Sequence, residues 1–219
     1  MKKLLCTVLL FVSAILIPQF SAKCRAADEQ PAPQCKNVLI IITDQQSADM
    51  MSCVQGDRWL KTPNMDALAA SGMLFRRAYT SNPLCVPLRS ALVTGHYPHQ
   101  TGVQTNSSGR ANMQDLRCVG EIFKSAGFKT AYFGKWHVSI PMDEKNEEWH
   151  GFDVRSPGGK AQYESGAVVD FIKSEHEKPF LAIASFMNPH NICEWSRFQK
   201  LPGGEIGDVP ALDQLPPLP

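Results

Sequence analysis

One short stretch constrains the fold of this chain more than any other. Asn37 to Thr43 reads NVLIIIT, an unbroken apolar run dominated by β-branched residues. A run without alternation is the pattern of a strand buried on both faces, as in the interior of a parallel sheet. Later segments repeat the theme. Lys129 to Phe133 and Phe180 to Phe186 (FLAIASF) have the composition of buried strands, and Met73 to Tyr79 reads as a further one.

Helix signals fall between these runs. Thr62-Pro63 offers an N-cap and a first-turn proline to a helix over Asn64 to Ser71, which Gly72 stops. Asp115 to Ala126 sets Leu116, Val119, Ile122 and Phe123 on one helical face, and Gly127 closes it. Residues 161–174 carry Val168, Val169, Phe171 and Ile172 at helical spacing. Strand and helix alternate, so the expected class is α/β, a mostly parallel sheet with helices on both faces.

The ends read differently from the middle. Lys2 and Lys3 precede an apolar run from Leu4 to Ile17, Pro18 breaks it, and Ala22 and Ala26 offer small residues for cleavage. This is the three-part pattern of a secretory signal peptide over residues 1–26. The run is shorter than the roughly 20 apolar residues of a spanning helix. Export to the periplasm or the extracellular space, without a stable membrane anchor, is the expectation. Residues 27–36 read as a polar, proline-rich linker, residues 37–219 as the domain, and the stretch from Leu201 as loop. Lys plus Arg (22) nearly balances Asp plus Glu (21), which leaves no basic footprint for nucleic acid. Beyond Cys6 and Cys24 of the leader, Cys35, Cys53, Cys85, Cys118 and Cys193 are scattered, with no C-x-x-C pair. That excludes zinc spacing and a disulfide framework, and directs attention to one special cysteine.

Ligands of parallel α/β sheets collect at the carboxyl ends of the strands. Three of the expected strands end in polar groups: Thr43-Asp44-Gln45-Gln46, Gly134-Lys135-Trp136-His137 and Asn188-Pro189-His190. A strand-end Asp alone suits a helix cap, and a lone His suits a surface position. Their shared edge points to a site. Between them lies Leu84-Cys85-Val86-Pro87-Leu88-Arg89-Ser90-Ala91-Leu92-Val93-Thr94-Gly95. Pro87 suits a first helical position, so Cys85 is expected just before a helix N-terminus, where free N–H groups and the dipole favour an anion. Arg89 follows one turn later. A cysteine phosphatase would space Cys and Arg by five residues, and here the gap is three.

CVPLR followed by SALVTGHYPHQTGV resembles the signature of the type I sulfatases, members of the alkaline phosphatase superfamily. NVLIIITDQQ, TPNMDALAASGMLF, FKTAYFGKWH and SFMNPHNICEW extend the resemblance, in the family's order, over nearly the whole mature chain. The resemblance implies a sulfuric ester hydrolase in which Cys85 is oxidised to formylglycine by a formylglycine-generating enzyme. One hydroxyl of the hydrated aldehyde would attack sulfur, and deprotonation of the other would expel sulfate. By the same resemblance, Asp44 and Gln45 stand at the metal-binding positions, with Ca²⁺ the expected cation and Mg²⁺ the alternative, and Cys85 beside it. Arg89 would hold the modified residue, Lys135 and His137 would bind sulfate and steady the diol, and His190 would contact sulfate or the leaving oxygen. The implied substrate is a sulfated small molecule or polysaccharide.

The chain departs from the pattern at several points. Gln45 replaces a second aspartate, Leu88 replaces the signature serine, and Asn191-Ile192-Cys193 replaces the commoner H-x-P. Family members run to about twice this length, and their later Asp-Asn or Asp-His pair and further lysine have no counterpart after His190. Asp208 and Asp213, in a proline-rich context, do not replace them. An incomplete N-terminal catalytic domain is therefore expected. A non-catalytic remnant, and a phosphodiesterase or phosphonate hydrolase of the same superfamily, are the competing readings.

Overall fold

The computed structural model describes residues 37–109 and 112–197. The expected leader, the linker and the loop from Leu201, with Asp208 and Asp213, lie outside the described residues. In chain order the elements are β1 (Val38–Asp44), α1 (Ser52–Gln55), α2 (Pro63–Ser71), α3 (Cys85–Thr94), α4 (Pro98–Thr101), α5 (Val119–Ser125), β2 (Lys129–Gly134), α6 (Glu147–His150), β3 (Val154–Pro157), α7 (Gly166–Lys173), β4 (Phe180–Pro189) and α8 (Ile192–Ser196). The four strands form one sheet in the order β1-β4-β2-β3, and every pairing is parallel. The class is α/β, as the alternation of elements required.

Two apolar layers sandwich the sheet. Tyr132, Leu181 and Ile183 point into one, with Val86 and Val93 of α3, Trp136, Met113 and Phe152. Ala131, Phe133, Ala182 and Ala184 point into the other, with Val168, Phe171 and Ile172 of α7 packed against them. The small side chains of β4 on this second face let α7 approach closely. Helices thus cover both faces, and each strand residue alternates between the two layers.

β1 departs from the expected burial. Leu39 and Ile41 remain 44% and 57% exposed. Their register partners are Ala182 and Ala184, on the α7 face. α7 packs over β2 and β4, and among the described residues nothing extends that cover to β1, which lies at the sheet edge. Its apolar run is therefore buried on one face only. Met73 to Tyr79 forms no strand: it pairs with none of the four, and Met73, Phe75 and Tyr79 stand exposed. β-type composition alone does not make a strand where a segment pairs with no neighbour.

Several boundaries move. α5 begins at Val119, because Cys118 is extended (φ −88°, ψ 146°). Trp149 Nε1 donates to the carbonyls of Met113 and Leu116 at 3.0 and 2.8 Å and fastens that segment outside the helix. Val119 and Phe123 face the core, whereas Ile122 is exposed. α7 starts at Gly166 rather than near residue 161, after a 3₁₀ turn over Gly159–Gln162. α2 follows the proline signal, but the Thr62 hydroxyl donates to Asp66 Oδ1 at 2.9 Å instead of capping the helix. The short β3 gave no sequence signal, since VRSP has neither alternation nor length.

Candidate active site

The strand ends converge as the sequence implied. Asp44 closes β1, Lys135 follows β2, His190 follows β4, and Cys85 opens α3. Cys85 is itself the first residue of the helix, so the helix starts two positions earlier than expected, and Pro87 is the third. A proline is tolerated there because first-turn N–H groups have no partner within the helix. The N–H of Val86 is instead taken by Asn106 Oδ1 at 3.0 Å. Asn106, distant in sequence, therefore holds the turn that carries Cys85.

Asp44 is the hub. Its Oδ2 accepts from Lys135 Nζ, and Arg89 Nη2 lies 3.5 Å from the same oxygen. Lys135 Nζ also lies 3.8 Å from Cys85 Sγ. Both cations are buried, with side chains 7% and 6% exposed. Two positive charges thus face one carboxylate, an arrangement that leaves net positive potential for an anion. The guanidinium is fixed further: Arg89 Nη1 donates at 2.8 Å to the Lys135 carbonyl and to Ser185 Oγ. Tyr132 OH donates to that carbonyl at 2.6 Å, and the Lys135 N–H donates to the Ser185 carbonyl at 2.7 Å. Ser185 and Tyr132 escaped the sequence reading. The one available signal for Ser185 was a hydroxyl inside the otherwise apolar FLAIASF strand.

The backbone at the site is unusual. Gln45 (φ 63°) and His137 (φ 48°) are the non-glycine residues with positive φ among those described, and both belong to the expected site. Such conformations cost roughly 1–2 kcal/mol for an L-residue and tend to cluster where function requires them. Gly134 (φ 92°) ends β2 just ahead of Lys135 and His137, and any Cβ there would run into the Ser185 carbonyl. The His190 N–H donates to the Asp44 carbonyl at 3.1 Å, which ties the ends of β1 and β4 together beyond the bulge in their register. His137 is solvent-accessible at the rim. Partial desolvation of its ring, and then the charges of Lys135 and Arg89, hold its pKa below the ordinary 6.5. A largely neutral imidazole at pH 7 follows.

One side chain atom each of Asp44, Cys85 and His190 lies within 4.8 Å of the others, close enough to share an ion. As a free thiol, Cys85 makes this a mixed O, S and N set, which suits a softer metal than Ca²⁺. Ca²⁺ takes oxygens, about 6–8 of them. Asp44 offers carboxylate oxygen. Gln45 is exposed and its Oε1 accepts from Cys193 Sγ at 3.6 Å, so its amide oxygen is not directed solely at an ion. The residues fit a hard cation once an oxygen replaces the sulfur of Cys85. A cleft of about 620 Å³ opens over the cluster, walled by Cys85, Lys135, His137, His190 and, beyond them, Asn106, Gln162 and Arg197.

A parallel α/β sheet with this cation-rich site at its strand ends defines a domain of the alkaline phosphatase and sulfatase class. A family model described as Sulfatase matches residues 36–205, and the chain belongs to the sulfatase family. It is 31% identical over 209 residues to the Delta 4,5-hexuronate-2-O-sulfatase of Bacteroides thetaiotaomicron, covering 90% of this chain and 42% of that protein. It is 32% identical over 197 residues to the ulvan-active sulfatase of Formosa agariphila, covering 77% and 38%. Among solved structures, a 2-O GAG sulfatase superposes with a TM-score of 0.62 at 29% identity, over 84% of this chain and 41% of that one. The chain therefore spans less than half the length of these relatives.

Proposed function

We propose that this chain supplies the nucleophile and the sulfate-binding half of a sulfuric ester hydrolase, with Cys85 as the precursor of formylglycine. The observation that carries the reading is the single buried network joining Asp44, Arg89 and Lys135 next to Cys85. A transferring sulfuryl group spreads negative charge over its oxygens, and pre-placed cations stabilise that charge without reorganising. Lys135 would hold a sulfate oxygen and keep the group at position 85 oriented. Arg89, locked by Ser185 and the Lys135 carbonyl, would fix the helix turn on which residue 85 sits. His137, neutral near pH 7, would accept a proton, and His190 would donate one to the departing alkoxide. A divalent cation, Ca²⁺ or Mg²⁺, would be held by Asp44, Gln45 and the oxygens of modified Cys85, and would supply positive charge to the oxygens of that residue.

Relatives named for ulvan and for hexuronate sulfate support a sulfated polysaccharide, or a saccharide derived from one, as substrate. The leader pattern of residues 1–26 supports export, and N-terminal sequencing of the secreted protein checks it: an intact Met1 refutes cleavage. The function itself is tested by coexpression with a formylglycine-generating enzyme. A tryptic peptide should show Cys85 sulfur replaced by an aldehyde, and the converted chain should release sulfate from a sulfated saccharide, in a Ca²⁺-dependent manner, once the C-terminal half of a sulfatase is supplied to complete the metal site. A Cys85 that stays fully alkylatable while a control sulfatase is converted would overturn the proposal and implicate Leu88.

A further inference from the structure

The cleft carries one cation more than the network uses. Arg197 lies just beyond α8 and lines the same cavity as Cys85, Lys135, His137 and His190. Its side chain is exposed and makes no ion pair or hydrogen bond with any other described residue. The lysine and the arginine of the catalytic network, by contrast, both spend their charge on Asp44. Among the described residues no aspartate or glutamate lines this cavity, so none of its described wall residues neutralises Arg197. Gln162, at the end of the 3₁₀ turn that precedes α7, contributes an amide to the same wall. A guanidinium without a partner among the described residues, lining the same cleft as an amide, is complementary to a planar or tetrahedral oxyanion.

We infer that Arg197, with Gln162, forms a subsite for a second oxyanion on the sugar that bears the scissile sulfate ester. That second group is the carboxylate of a uronic acid or a second sulfate. The inference rests on the proposed function only in assigning the first anion to Lys135, His137 and His190. A neutral monosulfated sugar would leave Arg197 facing water, whereas a dianionic one would engage both ends of the cleft. Specificity would then arise from the fork of Arg197, not from the atoms that carry the reaction.

The test is calorimetric binding to the 219-residue chain at low salt. Three ligands serve: a hexuronate 2-sulfate, its carboxyl-reduced neutral-sugar counterpart, and a carboxyl-reduced disulfate. A single charge-assisted pair of this kind corresponds to about a tenfold preference. Wild type should bind the uronate about tenfold more tightly than its reduced counterpart, and Arg197→Ala should erase that difference. Arg197→Lys, which keeps the charge but loses the fork, should fall between. Recovery of affinity with the disulfate would assign the site to sulfate, and failure to recover would assign it to carboxylate. Equal affinity for charged and reduced ligands, a preference untouched in Arg197→Ala, or no measurable binding of any ligand would overturn the subsite. Conversion of Cys85 to the aldehyde on coexpression with a formylglycine-generating enzyme is followed in parallel. Carboxylate-dependent binding with a Cys85 that is never converted would remove the hydrolase reading and leave the subsite standing.

Discussion

Replacing Gly134 by alanine probes the strand end from which the cation cluster hangs. Gly134 has φ 92°, and a Cβ would collide with the Ser185 carbonyl and come within 3.1 Å of the Ala161 carbonyl. The Ser185 carbonyl is the acceptor of the Lys135 N–H at 2.7 Å. To relieve the clash, the end of β2 must move off β4 and that bond must open. A positive φ costs alanine about 1–2 kcal/mol. Loss of a buried backbone bond adds roughly 1–3 kcal/mol for the group left unsatisfied. The sum is a destabilisation of about 2–5 kcal/mol. Gly127 provides the control, since it has nearly the same φ (87°) but open space around its Cβ position. Gly127→Ala should therefore cost only the conformational part, about 1–2 kcal/mol. Urea unfolding followed by tryptophan fluorescence measures both, and the difference between the two variants isolates the clash. Indistinguishable unfolding free energies would refute the argument that the Ser185 carbonyl, and not φ alone, requires glycine at 134.

Two further outcomes follow from the same structure. Arg89→Met leaves Asp44 with one cation and Ser185 Oγ without its donor, so it should destabilise the fold by about 3–5 kcal/mol, as expected for breaking a buried charge pair. An unfolding midpoint within error of wild type would show that the network is decorative. The buried His150 ring accepts from the Phe152 N–H at 3.0 Å through Nδ1, and its Nε2 faces the Asp143 carbonyl at 3.2 Å, which fixes the neutral Nε2–H tautomer. Burial is the main cause holding its pKa below the ordinary 6.5. Because the folded value is the lower one, the unfolded chain binds the extra proton first. Stability from His150 is therefore complete above the unfolded pKa and is lost as pH falls through the folded value. Unfolding free energies measured from pH 7.5 to 5 should decline in wild type and decline less in His150→Gln; parallel slopes would refute the assignment.

The sequence by itself determined the candidate groups and their approximate place. Buried strand runs followed by Asp44, Lys135 and His190 sufficed to put these groups on one sheet edge, because all parallel strands present their carboxyl ends on the same side. The Cys85 helix was legible for a related local reason, as Pro87 signals the first turn of a helix beside Cys85. Other features belonged to the tertiary structure alone. The exposed face of β1 depends on how far α7 reaches across the sheet, and that distance is written in no local pattern. Met73 to Tyr79 has the composition of a strand but lacks a partner among the described residues, since β-structure is stabilised by pairing and not by propensity. The parts played by Ser185, Tyr132, Asn106 and Arg197 were likewise not legible in any local pattern. Each acts through a neighbour many residues away, and only the packed fold brings a serine in one strand against an arginine one helix turn past a cysteine.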